Sequence, residues 1–206
     1  MTYDEHEHHL AEKRIRKQLR ANNVCAKECG GGGHCLFFSV ADQLNKFFPE
    51  SNGGEEVTFI RLRDNVHSWI KEKFTAEHLV LMLSYGERNK YDRLGTKTDQ
   101  QIFDIWMNDV KYGDAWGNDF IISVIGNILE IPILVWMGEK KVPGEPDWPC
   151  IDYLPDNWDR TRTGKFLAIA NVSNRHFYSV YPRYGIPEYR TDYPLNMREI
   201  CMNTTV

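Results

Sequence analysis

The amino-acid sequence predicts a mixed α/β (α+β) fold in which a small central β-sheet is flanked by helices. Apolar residues recur at helical spacing through the N-terminal and middle parts of the chain, whereas short continuous apolar runs occur towards the C-terminus. The length of 206 residues and the 42% hydrophobic share suit one core. We therefore expect a single domain over residues 1–206, with an irregularly packed tail over 183–206.

Helices are expected to dominate the first part of the chain. Strong helix formers favour an amphipathic helix over 3–20, and a short strand over 24–29 then leads into a glycine turn. A second, apolar helix is expected to open at Cys35 and to stop before Pro49. Apolar spacing and cap residues predict further helices, which begin near Glu55, at Ala76, after Thr98-Asp99 and after Asn118-Asp119. The polar segment between Gly86 and Gly95 is predicted to be a surface loop.

Three apolar runs after Pro132 are expected to form strands of one sheet. They cover 133–136, 166–170 and 176–181. The intervening segment over 138–164 is rich in Pro, Trp and Asp and longer than an ordinary connection, so we expect it to shape a binding edge.

Composition narrows the possible functions. A net charge of −4 and a pI near 6.0 lack the basic excess that binding to a phosphate backbone needs, so no nucleic-acid partner is expected. We expect no membrane partner either, because no apolar run reaches the roughly 20 residues that span a bilayer. The five cysteines are too few for a disulfide scaffold, and the charged N-terminus does not resemble a secretory signal. A reduced, intracellular monomer in the cytoplasm or nucleus is therefore expected.

One cysteine is placed where a nucleophile is expected. Cys35 follows the turn Gly30–His34 and opens an apolar helix. Helix N-termini carry partial positive charge and unpaired N–H groups, so this position is expected to lower the thiol pKa, and the same N–H groups could hold an oxyanion. Far downstream, His176 begins a predicted strand. A cysteine early and a histidine late are typical of cysteine hydrolases.

Other interpretations of the same residues are simpler. Glycine tetrads are usually linkers, and a cysteine at a helix start is often a small core residue. A zinc cluster of Cys25, Cys29, His34 and Cys35 is an alternative interpretation, but their spacing matches no common finger and the metal would consume the nucleophile. We expect neither a metal nor a cofactor.

The order of several motifs resembles the ovarian tumour (OTU) family of cysteine deubiquitinases. The motifs are Gly33-His34-Cys35-Leu36-Phe37-Phe38-Ser39, Trp116-Gly117 before an apolar helix, the Ile133 strand, and His176-Phe177-Tyr178-Ser179-Val180. The resemblance implies a papain-like α/β fold with ubiquitin, a ubiquitin-like modifier or polyubiquitin chains as partners. It also implies that Trp116 covers the channel for the ubiquitin tail, although a core tryptophan at a helix entrance is an equal alternative.

The same resemblance implies a mechanism. Cys35 attacks the carbonyl of the ubiquitin C-terminal glycine, and His176 acts first as base and then as acid. The backbone of Gly32, Gly33 and His34, with the Cys35 N–H, binds the tetrahedral oxyanion.

Two positions depart from the family pattern. Gly32 stands where the family usually has aspartate, and Tyr178 stands where an Asn or Asp often orients the histidine. The third catalytic member is therefore not identified, and its candidates are Glu28, Asn22, Asn23, Asn171 and Asn174. The departures leave two alternatives to a deubiquitinase: an OTU-shaped module that binds ubiquitin without cleaving it, and a processing peptidase of a virus or mobile element.

Overall fold

The computed structural model describes residues 3–77, 79, 83, 85–113, 117–138, 150–159, 164–173 and 176–183. Its helices are α1 (Tyr3–Ala21), α2 (Cys35–Phe47), α3 (Phe59–Lys73), α4 (Tyr85–Tyr91), α5 (Asp99–Tyr112) and α6 (Asp119–Leu129), with a short 3₁₀ helix at Pro49–Asn52. Its strands are β1 (Val24–Lys27), β2 (Ile133–Met137), β3 (Cys150–Tyr153), β4 (Leu167–Val172) and β5 (His176–Pro182). The predicted α/β class, a small sheet flanked by helices, is confirmed.

The strands form one sheet in the order β1-β5-β4-β2-β3. β2 and β4 are parallel, and the other neighbours are antiparallel. β5 lies between β1 and β4, with His176 opposite Val172 and Ser179 opposite Lys27. The start of β5, which carries His176, is therefore held close to the end of β1.

The two faces of the sheet bury two separate clusters. Phe177 and Ile169 face the larger cluster, which includes the apolar side of α2, α3, α5 and α6. Tyr178 and Ala170 face the opposite way, towards the buried stripe of α1. Alternation of side chains along a strand accounts for this division, because successive residues point to opposite faces.

Polar side chains of α2 dock the helix onto the sheet. Ser39 Oγ donates to the carbonyl of Phe177 at 3.1 Å, and Gln43 Nε2 donates to the carbonyl of Val180 at 2.9 Å. Gln43 Oε1 accepts from the N–H of Ala168 at 3.1 Å. Both α2 side chains are fully buried. Since Ser39 lies one turn after Cys35, these bonds fix the start of α2 beside the start of β5.

Local signals predicted most element boundaries correctly. The predicted helices starting at residues 3, 35, 99 and 119 and the predicted strands starting at 24, 133, 166 and 176 are present within one or two residues. Thr98 forms a capping box with Gln101, and the Asn118 side chain accepts from the N–H of Ile121. These caps satisfy N–H groups that a helix start leaves without partners. Half of the predicted helix at 76–83, namely residues 78 and 80–82, lies outside the described residues.

Three predictions need correction. The polar segment from Gly86 is not wholly a loop, because α4 occupies its first part and ends on buried Tyr91. α3 begins at Phe59 rather than near Glu55, because Thr58 caps it. β3, which pairs with β2, lies in the segment over 138–164, in which no strand was predicted.

The cysteines also differ from expectation at one position. Cys150 is disulfide-bonded, so the expectation of reduced cysteines does not hold there. Cys25, Cys29 and Cys35 carry free thiols. Among the helices of the described part of the chain, none is both long and apolar enough to cross a membrane. The tail over 184–206, including Cys201, lies outside the described residues.

Candidate active site

Cys35 is the first residue of α2 and is almost completely buried, with 7% of its surface exposed. Burial raises the pKa of its thiol, since it removes the thiolate from water, whereas the backbone N–H groups of Phe177, Leu36 and Cys35 lower it. Burial dominates, so the predicted lowering of the Cys35 pKa is wrong in this structure. The helix start acts in the predicted direction, but its effect is the smaller one.

His176 opens β5 with its side chain 19% exposed. Its Nε2 atom lies 3.6 Å from Oε1 of Glu28 and makes no hydrogen bond. Burial lowers the pKa of His176 more than the Glu28 carboxylate raises it. The imidazole therefore favours its neutral form, in which it can accept a proton.

The peptide after His176 connects the two predicted catalytic residues. The N–H of Phe177 acts on the Cys35 thiol, and the carbonyl of Phe177 accepts from Ser39, one turn along α2. Cys35 and His176 thus lie at the same end of the sheet, on neighbouring elements. The Cys35 side chain belongs to the cluster that includes Phe177, whereas the His176 ring packs against Tyr178 on the face covered by α1.

Among the candidates for a third catalytic member, Glu28 faces the imidazole. Asn22 donates its side-chain amide to the carbonyl of Gln18, and Asn23 lies in the left-handed turn between α1 and β1 with φ 57°. Asn171 pairs with Phe177 and therefore lies on the sheet face opposite to His176. Asn174 lies outside the described residues. Tyr178 packs edge-on against the His176 ring, with centroids 4.8 Å apart.

The glycine turn before Cys35 has two tightly fitted positions. Gly30 has φ 140°, and a Cβ there would lie 2.8 Å from the Phe38 ring. Gly33 has φ 83°, and its Cβ would lie 2.3 Å from the carbonyl oxygen of Gly113. Glycine is required at both positions, because a side chain would be strained and would collide.

The predicted oxyanion turn is only partly arranged as expected. The N–H of His34 donates to the carbonyl of Gly31 at 3.3 Å, so this amide is engaged inside the turn. A Cβ at Gly32, which has φ 68°, would meet no atom within 4 Å. The predicted oxyanion site consists of backbone N–H groups from Gly32, Gly33 and His34. Of these three, the His34 N–H is bonded within the turn and is not available to an oxyanion in this structure.

Arg63 is a functional candidate that the sequence reasoning missed. It lies on α3 with 1% of its surface exposed, and it reaches the turn on the buried side. Its Nε donates to Nδ1 of His34 at 3.0 Å, and its Nη2 donates to the carbonyl of Gly33 at 2.7 Å. One signal could have found it: the arginine occupies a position of the same apolar stripe as Phe59, Val66 and Ile70.

Two open grooves flank the turn and share a wall. One is lined by residues that include Glu28, Phe38 and Phe59, and the other by residues that include His34, Phe59 and Tyr112. Phe59 stands between them and packs against both Phe38 and His34.

The zinc interpretation gains no support. Within the described ranges, no group of three or more His, Cys, Asp or Glu side chains is placed to hold a metal ion. Cys25 is exposed on β1, whereas Cys35 is buried at the start of α2. Trp116, which was predicted either to cover a substrate channel or to fill the core, lies outside the described residues.

A buried cysteine at a helix start, beside the first residues of a strand that opens with histidine, is the arrangement of a cysteine protease. A family model described as OTU-like cysteine protease matches residues 30–177, which is more than half of the chain. The chain belongs to this family. Comparison with curated proteins by sequence gives no match.

Solved structures of the same family share the fold. The OTU domain of OTUD1 is similar with a TM-score of 0.58 at 14% identity, over 86% of this chain and 99% of that one. An OTU deubiquitinase from Wolbachia pipientis, solved bound to ubiquitin, is similar with a TM-score of 0.50 at 19% identity, over 79% of this chain and 98% of that one. The predicted family and fold are confirmed.

Proposed function

We propose that this protein is a deubiquitinase, with Cys35 as nucleophile and His176 as general base and acid. Its substrate is the peptide or isopeptide bond after the C-terminal glycine of ubiquitin or a ubiquitin-like modifier, in conjugates or polyubiquitin chains. The observation that carries the proposal is the position of the Cys35 thiol at the start of α2, against the N–H of the residue that follows His176. The ubiquitin bound to the Wolbachia relative supports the substrate class.

In the proposed reaction the resting pair is neutral. The pKa of Cys35 is raised and that of His176 is lowered, so the proton resides on sulfur at neutral pH. As sulfur attacks the glycine carbonyl, the imidazole takes that proton and the carbonyl oxygen becomes an oxyanion. The Cys35 N–H points out of the helix start and, with the N–H groups of Gly32 and Gly33, stabilises that charge.

Collapse of the tetrahedral intermediate completes the first half of the reaction. The imidazolium gives its proton to the leaving lysine amine, and a thioester between Cys35 and ubiquitin remains. Neutral His176 then removes a proton from water, which attacks the thioester, and the Cys35 thiol is regenerated with release of the ubiquitin carboxylate. Glu28 faces the imidazole, and its carboxylate stabilises the transient positive charge.

A ubiquitin that carries a propargylamide at its C-terminus tests nucleophile, fold and modifier together. We expect one covalent adduct per chain, located on Cys35 by mass spectrometry of peptides. Cys35→Ala should form none, whereas Cys25→Ala, which removes an exposed thiol of β1, should react like the natural sequence. Adduct formation by the Cys35→Ala variant would contradict the assignment.

Ubiquitin substrates also distinguish the deubiquitinase from the two alternative functions, a ubiquitin-binding module and a processing peptidase. Binding of unmodified ubiquitin without adduct formation, and without hydrolysis of a ubiquitin–aminocoumarin conjugate, would assign a module that binds but does not cleave. That alternative is favoured by one observation, since the His34 N–H is engaged within the turn. A processing peptidase, which shares the site but not the substrate, would instead cleave a polyprotein and leave the ubiquitin conjugate intact.

A further inference from the structure

The turn before Cys35 lacks side chains of its own between Cys29 and His34. Four consecutive glycines lose more backbone entropy on ordering than four other residues would. An oxyanion site formed by the backbone of this turn therefore needs contacts from outside the turn to hold it in one conformation. Within this turn, no atom lies within 4 Å of the Cβ position of Gly31 or Gly32. Gly30 packs against the Phe38 ring at the start of the turn, so a second anchor is needed at the end nearest to Cys35.

Arg63 reaches that end with three hydrogen-bond donors. Its guanidinium donates to the carbonyl of Gly33, to Nδ1 of His34 and to the carbonyl of Val110 at the end of α5. It also lies over the ring of Phe37, 4.1 Å from the centroid. Since a planar guanidinium is a rigid fork, bonds to three acceptors on two elements hold its orientation.

The bond from Arg63 to the Gly33 carbonyl also sets the orientation of the peptide between Gly33 and His34. The carbonyl and the N–H of a trans peptide point to opposite sides, so a bond to the Gly33 carbonyl fixes where the His34 N–H points. Arg63 holds that carbonyl on the buried side, and the N–H therefore faces the open side, where it meets Gly31. The next peptide begins α2, because the His34 carbonyl accepts from Phe38.

We infer that Arg63 is a positioning residue for the oxyanion turn: it fixes the Gly33–His34 peptide plane, with the Gly33 carbonyl on the side of Arg63 and the His34 N–H on the side of Gly31. This inference rests on the proposed function. Only the middle of the turn, at Gly31 and Gly32, then has to move for the His34 N–H to exchange its bond with Gly31 for one to a substrate oxyanion.

The test compares Arg63→Lys with the matched control Arg61→Lys. Arg61 lies on the same helix, is exposed and pairs with Glu55. Lysine at position 63 keeps the positive charge beside Cys35. Its ammonium group lacks the planar arrangement of donors with which the guanidinium reaches three separate acceptors. We expect kcat on a ubiquitin–aminocoumarin conjugate to fall about 100-fold, as for loss of an oxyanion donor, with KM within about 3-fold. Arg61→Lys should leave both unchanged.

Two further readouts separate positioning from general damage. Alkylation of Cys35 by iodoacetamide does not use an oxyanion site, so its rate should stay within about 3-fold in Arg63→Lys, while amide hydrogen exchange over 30–35 should become faster. Equal losses of alkylation and turnover would overturn the inference, as would unchanged exchange and kcat. If the natural sequence does not hydrolyse the ubiquitin conjugate, the proposed function fails, and the exchange comparison still decides the role of Arg63.

A second pair of variants leaves the buried arginine in place. His34→Ala removes the acceptor of the Arg63 Nε, whereas His34→Asn supplies a carbonyl oxygen near the former Nδ1 and is a good residue at a helix start. We expect kcat of the alanine variant to fall about 10-fold and that of the asparagine variant to stay within about 3-fold of the natural sequence. Equal values for the two variants would overturn the role of this bond.

Discussion

The chemistry at the scale of single residues depends on burial. Cys35 and His176 are both buried enough to favour their neutral forms, which raises the pKa of the thiol and lowers that of the imidazole. If the neutral pair is the active form, kcat/KM should reach its plateau at pH values between the pKa of His176 and the pKa of Cys35. The acid limb then lies below the ordinary histidine pKa of about 6.5, and the basic limb lies above the ordinary thiol pKa of about 8.5.

Glu28→Gln tests the carboxylate that faces the imidazole. Glu28 raises the pKa of His176, so its neutralisation should lower that pKa further and move the acid limb of kcat/KM to lower pH. Because Glu28 is 70% exposed and 3.6 Å away, we expect only a 3- to 10-fold loss at the plateau, roughly what a screened charge contributes. Glu50→Gln, at an exposed site, serves as the control. An unchanged acid limb would exclude Glu28 as the partner of His176.

At the scale of elements, the α2–β5 contact holds the site together. Ser39 and Gln43 continue the face of α2 that begins at Cys35, and their hydrogen bonds reach β5 at Phe177 and Val180. These are long-range bonds between buried groups, so their loss leaves polar atoms without partners in an apolar setting.

Gln43→Met keeps the approximate shape of the side chain and removes its hydrogen bonds. The N–H of Ala168 and the carbonyl of Val180 then lose a partner, so we expect the free energy of unfolding in urea to fall by about 2–4 kcal/mol. Gln100→Met, on the exposed face of α5, should change it by less than about 0.5 kcal/mol. A loss of that small size for Gln43→Met would show that the α2–β5 contact depends on apolar packing alone.

At the scale of the whole molecule, the sheet is covered on both faces. α1 covers the face to which Tyr178 points, and its charged side chains reach the surroundings of His176, because His8 lowers and Glu12 raises the His176 pKa. The helix that precedes the glycine turn therefore packs on the sheet that carries His176, and the single domain over 1–206 stays a prediction.

Ile15→Ala tests whether α1 and the sheet unfold as one cooperative unit. Ile15 is fully buried between α1 and the sheet, so we expect a loss of about 2–5 kcal/mol and a lower Tm with one calorimetric transition. Loss of turnover on heating should follow that same transition. Ile60→Ala, at a residue 58% exposed, should leave Tm nearly unchanged. Two separate transitions for Ile15→Ala would contradict a single cooperative domain.

The sequence by itself determined the features that depend on neighbours along the chain. Apolar spacing and the caps at Thr98 and Asn118 predicted where helices begin, and the motifs around Cys35 and His176 predicted the family. Local rules missed α4, because its polar residues resemble a loop until the burial of Tyr91 is seen.

Only the tertiary structure decided how the site is electrostatically tuned and anchored. Glu28, one of five sequence candidates, meets His176, and Arg63 meets Gly33 and His34. Both contacts span long separations in sequence, so local patterns did not single out Glu28 or give Arg63 its partners. The direction of the Cys35 pKa likewise depends on how deeply the fold buries the thiol. Helix starts and motifs are set by bonds between near neighbours, whereas desolvation and long-range hydrogen bonds exist only after the whole chain has packed.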